Sequence, residues 1–252
     1  MVVDPVAGSP AAVADCDGER ALVLADYHAG IEQALRRDGV ELASQATERI
    51  GAVHALLDET DPDRLVVLGD LGHAIGEPWD EERDEFEDLL SDVSERVPVT
   101  LVKGNHDGDV ESLVADLDLS VDVTPTDGVR IGDVGFAHGH TWPSKDVLDA
   151  EVVCVGHEHP EVRLEDEVGG SHLERVWLRG SLAPGPFRVH YSDPDLTPAG
   201  ELVVFPAFNA LSGGTWINVD DQEFLAPFLP DGLVDGEAYL LDGTRLGAYE
   251  SI

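Results

Sequence analysis

Five apolar runs between residues 21 and 159 each end in a short loop that carries histidine, aspartate or asparagine. Ala21–Ala25 leads into Asp26-Tyr27-His28, Arg64–Leu68 into Gly69-Asp70, and Pro98–Val102 into Gly104-Asn105-His106-Asp107. Val134–Ala137 leads into His138-Gly139-His140, and Glu151–Val155 into Gly156-His157-Glu158-His159. Seven of the ten histidines lie in these loops or, at His73, just beyond one. Such a chain needs a fold that ends several strands at one place, because open α/β sheets gather ligands at the carboxyl ends of their strands.

The intervening segments fit that demand. Leu35, Leu42, Ile50, Val53 and Leu57 recur at helical intervals from Gly30 to about Leu57, with a break near Gly39. Glu81–Arg96 reads as a helix with Phe86, Leu89, Leu90 and Val93 on one side, and its acidic stretch Asp80 to Asp88 reads as a solvated face. A short helix follows at Asp109–Asp116. Strands then dominate: Gly128–Ile131 and Val134–Ala137 around a hairpin turn at Gly132-Asp133, then Glu161–Leu164, His172–Leu178 and Glu201–Phe205. Alternation first and strands later predict an α/β class. Residues 1–18, rich in Ala, Gly, Pro and Asp, read as a loose leader, and 19–252 as a single domain.

Composition narrows the setting. Fifty-two acidic against 15 basic residues give a net charge of −37, and Lys103 and Lys145 are the only lysines. Self-repulsion of this size is relieved by molar salt, which points to a halophilic cytoplasm. No basic footprint suits nucleic acid, although salt weakens phosphate steering for any protein. Cys16 stands in a polar segment and Cys154 in an apolar run; neither forms a Cys-x-x-Cys pair, so no disulfide framework or thiolate zinc site is expected. Met1–Asp15 lacks a basic signal region, and no apolar run approaches a membrane span.

Carboxylate, imidazole and amide oxygen together suit divalent first-row metals. Asp26 and His28, like His157 and His159, are two apart, a spacing that puts both members of each pair on one side of an extended segment. Seven or eight donors exceed the needs of one ion and fit two ions that share a carboxylate.

The ordered set Asp-x-His, Gly-Asp, Gly-Asn-His-Asp, His-Gly, Gly-His-x-His, from Asp26 to His159, resembles the calcineurin-like metallophosphoesterase superfamily. The segment Phe205-Pro-Ala-Phe-Asn-Ala-Leu-Ser-Gly-Gly-Thr215 resembles a feature of its ICC-like predicted phosphoesterase branch, which is related to the DNA-ligase-associated phosphoesterases. The resemblance implies a four-layer αββα sandwich of two mixed β-sheets and a phosphate-ester substrate. It implies two divalent ions, Mn²⁺ foremost with Fe, Ni, Co or Zn as alternatives. One ion would be held by Asp26, His28, Asp70 and His159, and the other by Asp70, Asn105, His138 and His157. A hydroxide between them would attack phosphorus, and His106 would protonate the leaving oxygen.

The chain departs from the superfamily where an aspartate commonly orients the acid histidine: His73 stands there. Asp107 is then a candidate for that role, the alternative being that His106 has no carboxylate partner. His140 is a candidate substrate contact or substitute ligand, and Arg179, just after a strand, a candidate for neutralising substrate phosphate. Gly213-Gly214-Thr215 reads as a turn, with phosphate binding through its amides as the alternative. Mono- and diesters, a nuclease activity, and a non-catalytic metal-bearing scaffold all remain open on the sequence.

Overall fold

A computed structural model describes residues 2–76, 80–117, 119–165, 168–220 and 222–252. Two sheets face each other. The first holds β1 (Val3–Pro5), β2 (Ala11–Cys16), β3 (Glu19–Leu24), β4 (Arg64–Val67), β5 (Val99–Val102) and β6 (Val121–Thr124), in that order. β3 to β6 run parallel, and β1 and β2 extend them antiparallel. The second contains β7 (Val129–Ile131), β8 (Val134–Ala137), β9 (Val152–Val155), β10 (Glu161–Glu165), β11 (Ser171–Leu182), β12 (Glu201–Val204), β13 (Leu233–Leu240) and β14 (Arg245–Ala248). Its order is β14-β13-β11-β12-β9-β8-β7, with β10 paired to β11 alone and β8, β9 and β12 mutually parallel. Both sheets are therefore mixed.

Strand alternation builds the layers, because successive side chains leave a strand on opposite faces. Leu22 and Leu24 of β3 join Leu65 and Val67 of β4 against α2 (Ala46–Thr60) and α3 (Asp80–Ser94). Their neighbours Ala21, Val23 and Val66 turn the other way, to meet Val152, Cys154, Trp177, Val203 and Phe205 of the second sheet. Val153, Val155, Leu202 and Val204 face outward again, onto α5 (Lys145–Leu148), α6 (Pro184–Tyr191) and the C-terminal segments. Three apolar clusters thus fill three interlayer spaces, as a four-layer sandwich requires. The short helices α1 (Ile31–Arg37) and α4 (Val110–Asp116) complete the first side.

The expected helix from Gly30 is two, α1 and α2, separated across Gly39 as its spacing suggested. Residues 3–16 do not form a loose leader. They make β1 and β2, with Ala11, Ala12 and Ala14 buried, and Cys16 lies buried at the end of β2, where its thiol is pushed up to about 12, first by burial. The acidic face of α3 also departs from expectation: Glu82 and Glu85 are buried on the same side as Phe86 and Leu89. No helix is long and apolar enough to cross a membrane among the described residues.

Candidate metal centre

The five loops converge at the carboxyl ends of β3, β4, β5, β8 and β9. Ligand atoms of Asp26, His28 and His159 lie within 4.8 Å of one another, as do those of Asp70, His138 and His157. Asn105 joins the second group through its Oδ1, 3.1 Å from His138 Nε2. All seven residues expected to hold metal are therefore in one place, together with His106 and His73.

The backbone achieves this in an unexpected way. Asp26, His28, Asp70, His157 and His159 all have positive φ, between 44° and 68°. The i, i+2 pairs are not extended; their left-handed residues coil each loop so that both side chains turn inward. Each such residue costs roughly 1–2 kcal/mol against the ordinary conformations, strain typical of functional sites. The motif glycines serve close approach. A Cβ on Gly69 would stand 2.4 Å from His138 Nδ1, and one on Gly104 2.2 Å from Asp70 Oδ1.

Backbone carbonyls aim the imidazoles. A carbonyl can only accept, so the ring nitrogen facing one carries the proton. The Nδ1–H of His28 donates to Gly72 O at 3.1 Å, that of His138 to Leu68 O at 2.6 Å, and that of His159 to Gly213 O at 2.7 Å. Each Nε2 is left facing the cluster interior. There His28 Nε2 and His159 Nε2 stand 3.4 Å apart, and His138 Nε2 faces Asn105 Oδ1 and Asp70 Oδ2, the latter at 3.3 Å. With neutral rings, lone pairs confront lone pairs in both groups, a conflict that protons on His138 and His159 relieve in the metal-free protein. A cation placed between them resolves the conflict, and the nitrogen–oxygen donor set suits a divalent first-row ion.

The electrostatics agree. Burial alone would lower His138 and His159, but the carboxylates of Asp70 and Asp26 override it and push each up to about 9. Burial pushes His28 and His157 down to about 4. Burial would raise Asp26 and Asp70, yet the surrounding histidines hold both below the usual carboxylate range. The cluster is built to keep two carboxylates ionised and positive charge between them.

His106 donates its backbone N–H to Asp70 Oδ1 at 2.9 Å, and its Nδ1–H goes to His73 O at 2.5 Å. Asp107 does not orient it. The Asp107 carboxylate, fully buried, accepts the N–H groups of Leu71, Gly72 and Gly104, so it ties the Asp70 loop to the Asn105 loop. Burial, reinforced by Asp70, pushes it up to about 6. The orienting partner is the His73 backbone carbonyl, and His73 in turn is held by Glu82, whose Oε1 accepts from His73 N and Ala74 N. The His73 ring stacks on His106 at 5.5 Å.

His140 belongs to neither ligand group; its ring lies 5.1 Å from His138, and burial pushes it down to about 4. Arg179 is elsewhere. Its guanidinium pairs with Glu201 at 2.7 Å and donates to Val3 O, at the end of the strands remote from the loops, so it does not join the histidine cluster. Sequence reasoning missed Glu158, whose fully buried carboxylate accepts from Thr215 Oγ1 and from the N–H groups of Leu225 and Ala226. Gly213 to Thr215, expected as a turn, form an irregular stretch along the His159 loop, where Thr215 N–H donates to Glu158 O at 3.2 Å.

The calcineurin-like phosphoesterase family profile matches residues 19–161, more than half of the chain. The chain belongs to that family. It is therefore a hydrolase of phosphate esters, of a family that uses divalent metals. No curated protein matches the chain. Among solved structures, the nuclease MPE of Pseudomonas putida is similar to this calcineurin-like phosphoesterase with a TM-score of 0.58 at 21% identity, over 97% of this chain and 100% of that one. Yfce, a phosphoesterase from E. coli, aligns at a TM-score of 0.39 and 19% identity, over 82% and 96% of the two chains. The first likeness bears on the fold, and the second is too distant to carry an argument.

Proposed function

We propose that this phosphoesterase cleaves a phosphodiester with two divalent cations, one held by Asp26, His28 and His159, the other by Asn105, His138 and His157, with Asp70 shared between them. The observation that carries this reading is the pair of opposed Nε2 atoms of His28 and His159, 3.4 Å apart with both Nδ1–H groups already engaged. When bound, such ions supply Lewis acidity: they acidify water and neutralise charge on phosphoryl oxygens. The chain's own residues supply position and a proton. His106, fixed through Nδ1 on His73 O, keeps Nε2 free to hold a proton for the leaving oxygen. Asp107 keeps the Asp70 and Asn105 loops in register.

A diester is favoured by the distribution of positive charge. Among the described residues only histidines pair with Asp26 and Asp70. Arg49 is committed to Glu32 and Glu85, Arg175 to the carbonyls of Ala207 and Phe208, and Arg179 to Glu201. A monoester carries about −1.5 to −2 near neutral pH, and a diester one charge less to neutralise. Manganese is the leading candidate ion, with Fe, Co, Ni or Zn compatible with the same donors. The net charge of −37 supports work in the salt-rich cytoplasm of a halophile.

The test is turnover of bis-p-nitrophenyl phosphate against p-nitrophenyl phosphate by Mn²⁺-loaded protein in concentrated KCl. Faster diester cleavage is expected; a metal-replete protein that hydrolyses neither ester would sink the reading. A nuclease reading is motivated by the full-length likeness to nuclease MPE. Labelled single-stranded and nicked DNA left intact at molar salt, with the small diester cleaved, would remove it.

A further inference from the structure

The segment Phe205–Thr215, outside the family match, supplies none of the proposed ligands, yet it touches two of the five loops. Asn209 is 2% exposed and buried against the first. Its Nδ2 donates to Tyr27 O at 3.0 Å and to His28 O at 3.1 Å, and its backbone N–H donates to Asp26 O at 3.2 Å. Its Oδ1 accepts from Leu211 N at 3.0 Å, so the amide is saturated and cannot rotate without breaking a bond. Four residues on, Gly213 O receives the Nδ1–H of His159 at 2.7 Å, and Thr215 Oγ1 reaches Glu158. The left-handed turns at Asp26 and His28 bring three successive carbonyls, of residues 26 to 28, within reach of residue 209; of these His28 O also accepts from Ile31 N at 3.3 Å. A side chain with two N–H groups from one nitrogen meets two of them at once; a carboxylate of the same shape would oppose oxygen to oxygen.

The second ligand group is anchored differently. His138 rests on Leu68 O, and the Asp70 and Asn105 loops are joined by Asp107. None of these contacts involves residues 205–215.

We propose that Asn209 is a positioning residue for the Asp26, His28 and His159 cation site, and that it sets the affinity of that site far more than that of the Asp70, His138 and His157 site. The assignment rests on the dinuclear reading above. It makes the two sites unequal: the segment holds both ligand loops of the first, whereas of the second site's ligands only His157, on the His159 loop, lies on a loop it touches.

The experiment is calorimetric titration of Mn²⁺ into the metal-free full chain in concentrated KCl, with turnover of bis-p-nitrophenyl phosphate followed as a function of Mn²⁺. The parent is expected to take two equivalents. Asn209→Ala should weaken one class about 10- to 100-fold, the usual cost of losing a partner that orients metal ligands, and the other much less. Saturating Mn²⁺ should then restore the rate to within a few-fold, separating metal affinity from catalytic power. Asn209→Asp, which keeps the shape and loses the donors, should weaken the same class. Thr215→Val, a milder change in the same segment, should weaken it less, and keeps the test alive if Asn209 variants fold poorly. Equal weakening of both classes, or no change in either, overturns the assignment alone. A parent that binds no Mn²⁺ overturns it together with the dinuclear reading.

Discussion

Two buried polar clusters lie on either side of Tyr27, and they are built on opposite rules. On one side Arg49, stacked 5.8 Å from the Tyr27 ring, donates through Nη1 and Nη2 to Glu32 and through Nε and Nη2 to Glu85, at 2.6 to 3.0 Å. The spare lone pairs are met by Gln45 N on Glu32 and Gly30 N on Glu85. On the other side the Asp26, His28 and His159 group and the Asp70, Asn105 and His138 group place acceptor against acceptor whenever the rings are neutral. Burial penalises both clusters alike. The first answers with its own donors and is complete as folded. The second is short of positive charge, and only protons or cations from outside can supply it. Donor–acceptor parity, rather than burial or charge count, separates the structural cluster from the functional one.

The sharpest way to break this contrast is Arg49→Ala. It strands two buried carboxylates, and removal of one partner from a buried pair costs about 3–5 kcal/mol. Denaturant unfolding in high salt should show a loss of that order, while Mn²⁺ uptake by the folded fraction stays as in the parent. A stable Arg49→Ala variant would mean that the cluster is not the closed structural unit its hydrogen bonds describe.

Asp70→Asn should do the reverse. Turnover should drop by more than the roughly hundredfold that changes in outer-shell metal partners cost, because the residue is the one shared by both proposed ions. The metal-free variant should melt lower than the parent, since it loses the ionised carboxylate that His138 faces, but by less than Arg49→Ala, which strands two buried carboxylates. If Asp70→Asn instead unfolds like Arg49→Ala, the histidine cluster is structural after all.

The two clusters also differ in how far the sequence reveals them. Histidine is scarce in this chain, so seven of ten beside strand ends stand out, and the residues from Asp26 to His159 that gather in one cluster could be read directly. Acidic residues number 52, and a buried glutamate looks like any other. Glu82 and Glu85 were therefore assigned to solvent, although they extend the stripe of Phe86, Leu89 and Val93 back by one turn. The roles of Asp107 and Asn209 depend on which backbone N–H and carbonyl groups the left-handed loops expose, and no spacing encodes that. Strands β1 and β2 are hard to read in the sequence because their buried residues are small: Ala12 and Ala14 meet the facing sheet, and Ala11 the helix side. Arg179 looked like a phosphate ligand from its place after a strand; only the pairing of β11 with β12 brings Glu201 to it.

Mn²⁺ itself sharpens the comparison. A ligand bound only by the folded chain adds about 2.7 kcal/mol at a hundredfold excess over its dissociation constant. Thermal melts with and without Mn²⁺ should show that gain in the parent and in Arg49→Ala, from different starting points, and a smaller one in Asp70→Asn. Equal stabilisation of all three would place the metal outside the histidine cluster.

The smallest effect expected is with acid, where the clusters should fail in sequence. Burial opposes ionisation of Glu32, but the hydrogen bonds from Arg49 overcome it and hold its carboxyl below the ordinary glutamate range. A group depressed in the folded state contributes stability that is fully present above its unfolded value, about 4.3, and is lost as pH falls through the lower folded one. The histidine cluster yields earlier, because imidazoles must shed protons to bind a metal, and histidine titrates near 6.5 when unperturbed. Acid titration of the Mn²⁺-loaded protein should therefore release metal first, seen by the free-ion signal, with the fold intact by circular dichroism. Unfolding should follow only below about pH 4.3, and Glu32→Gln should flatten that lower transition without moving the upper one. Simultaneous loss of metal and fold would show that the ions, and not Arg49, hold the two sides of Tyr27 together.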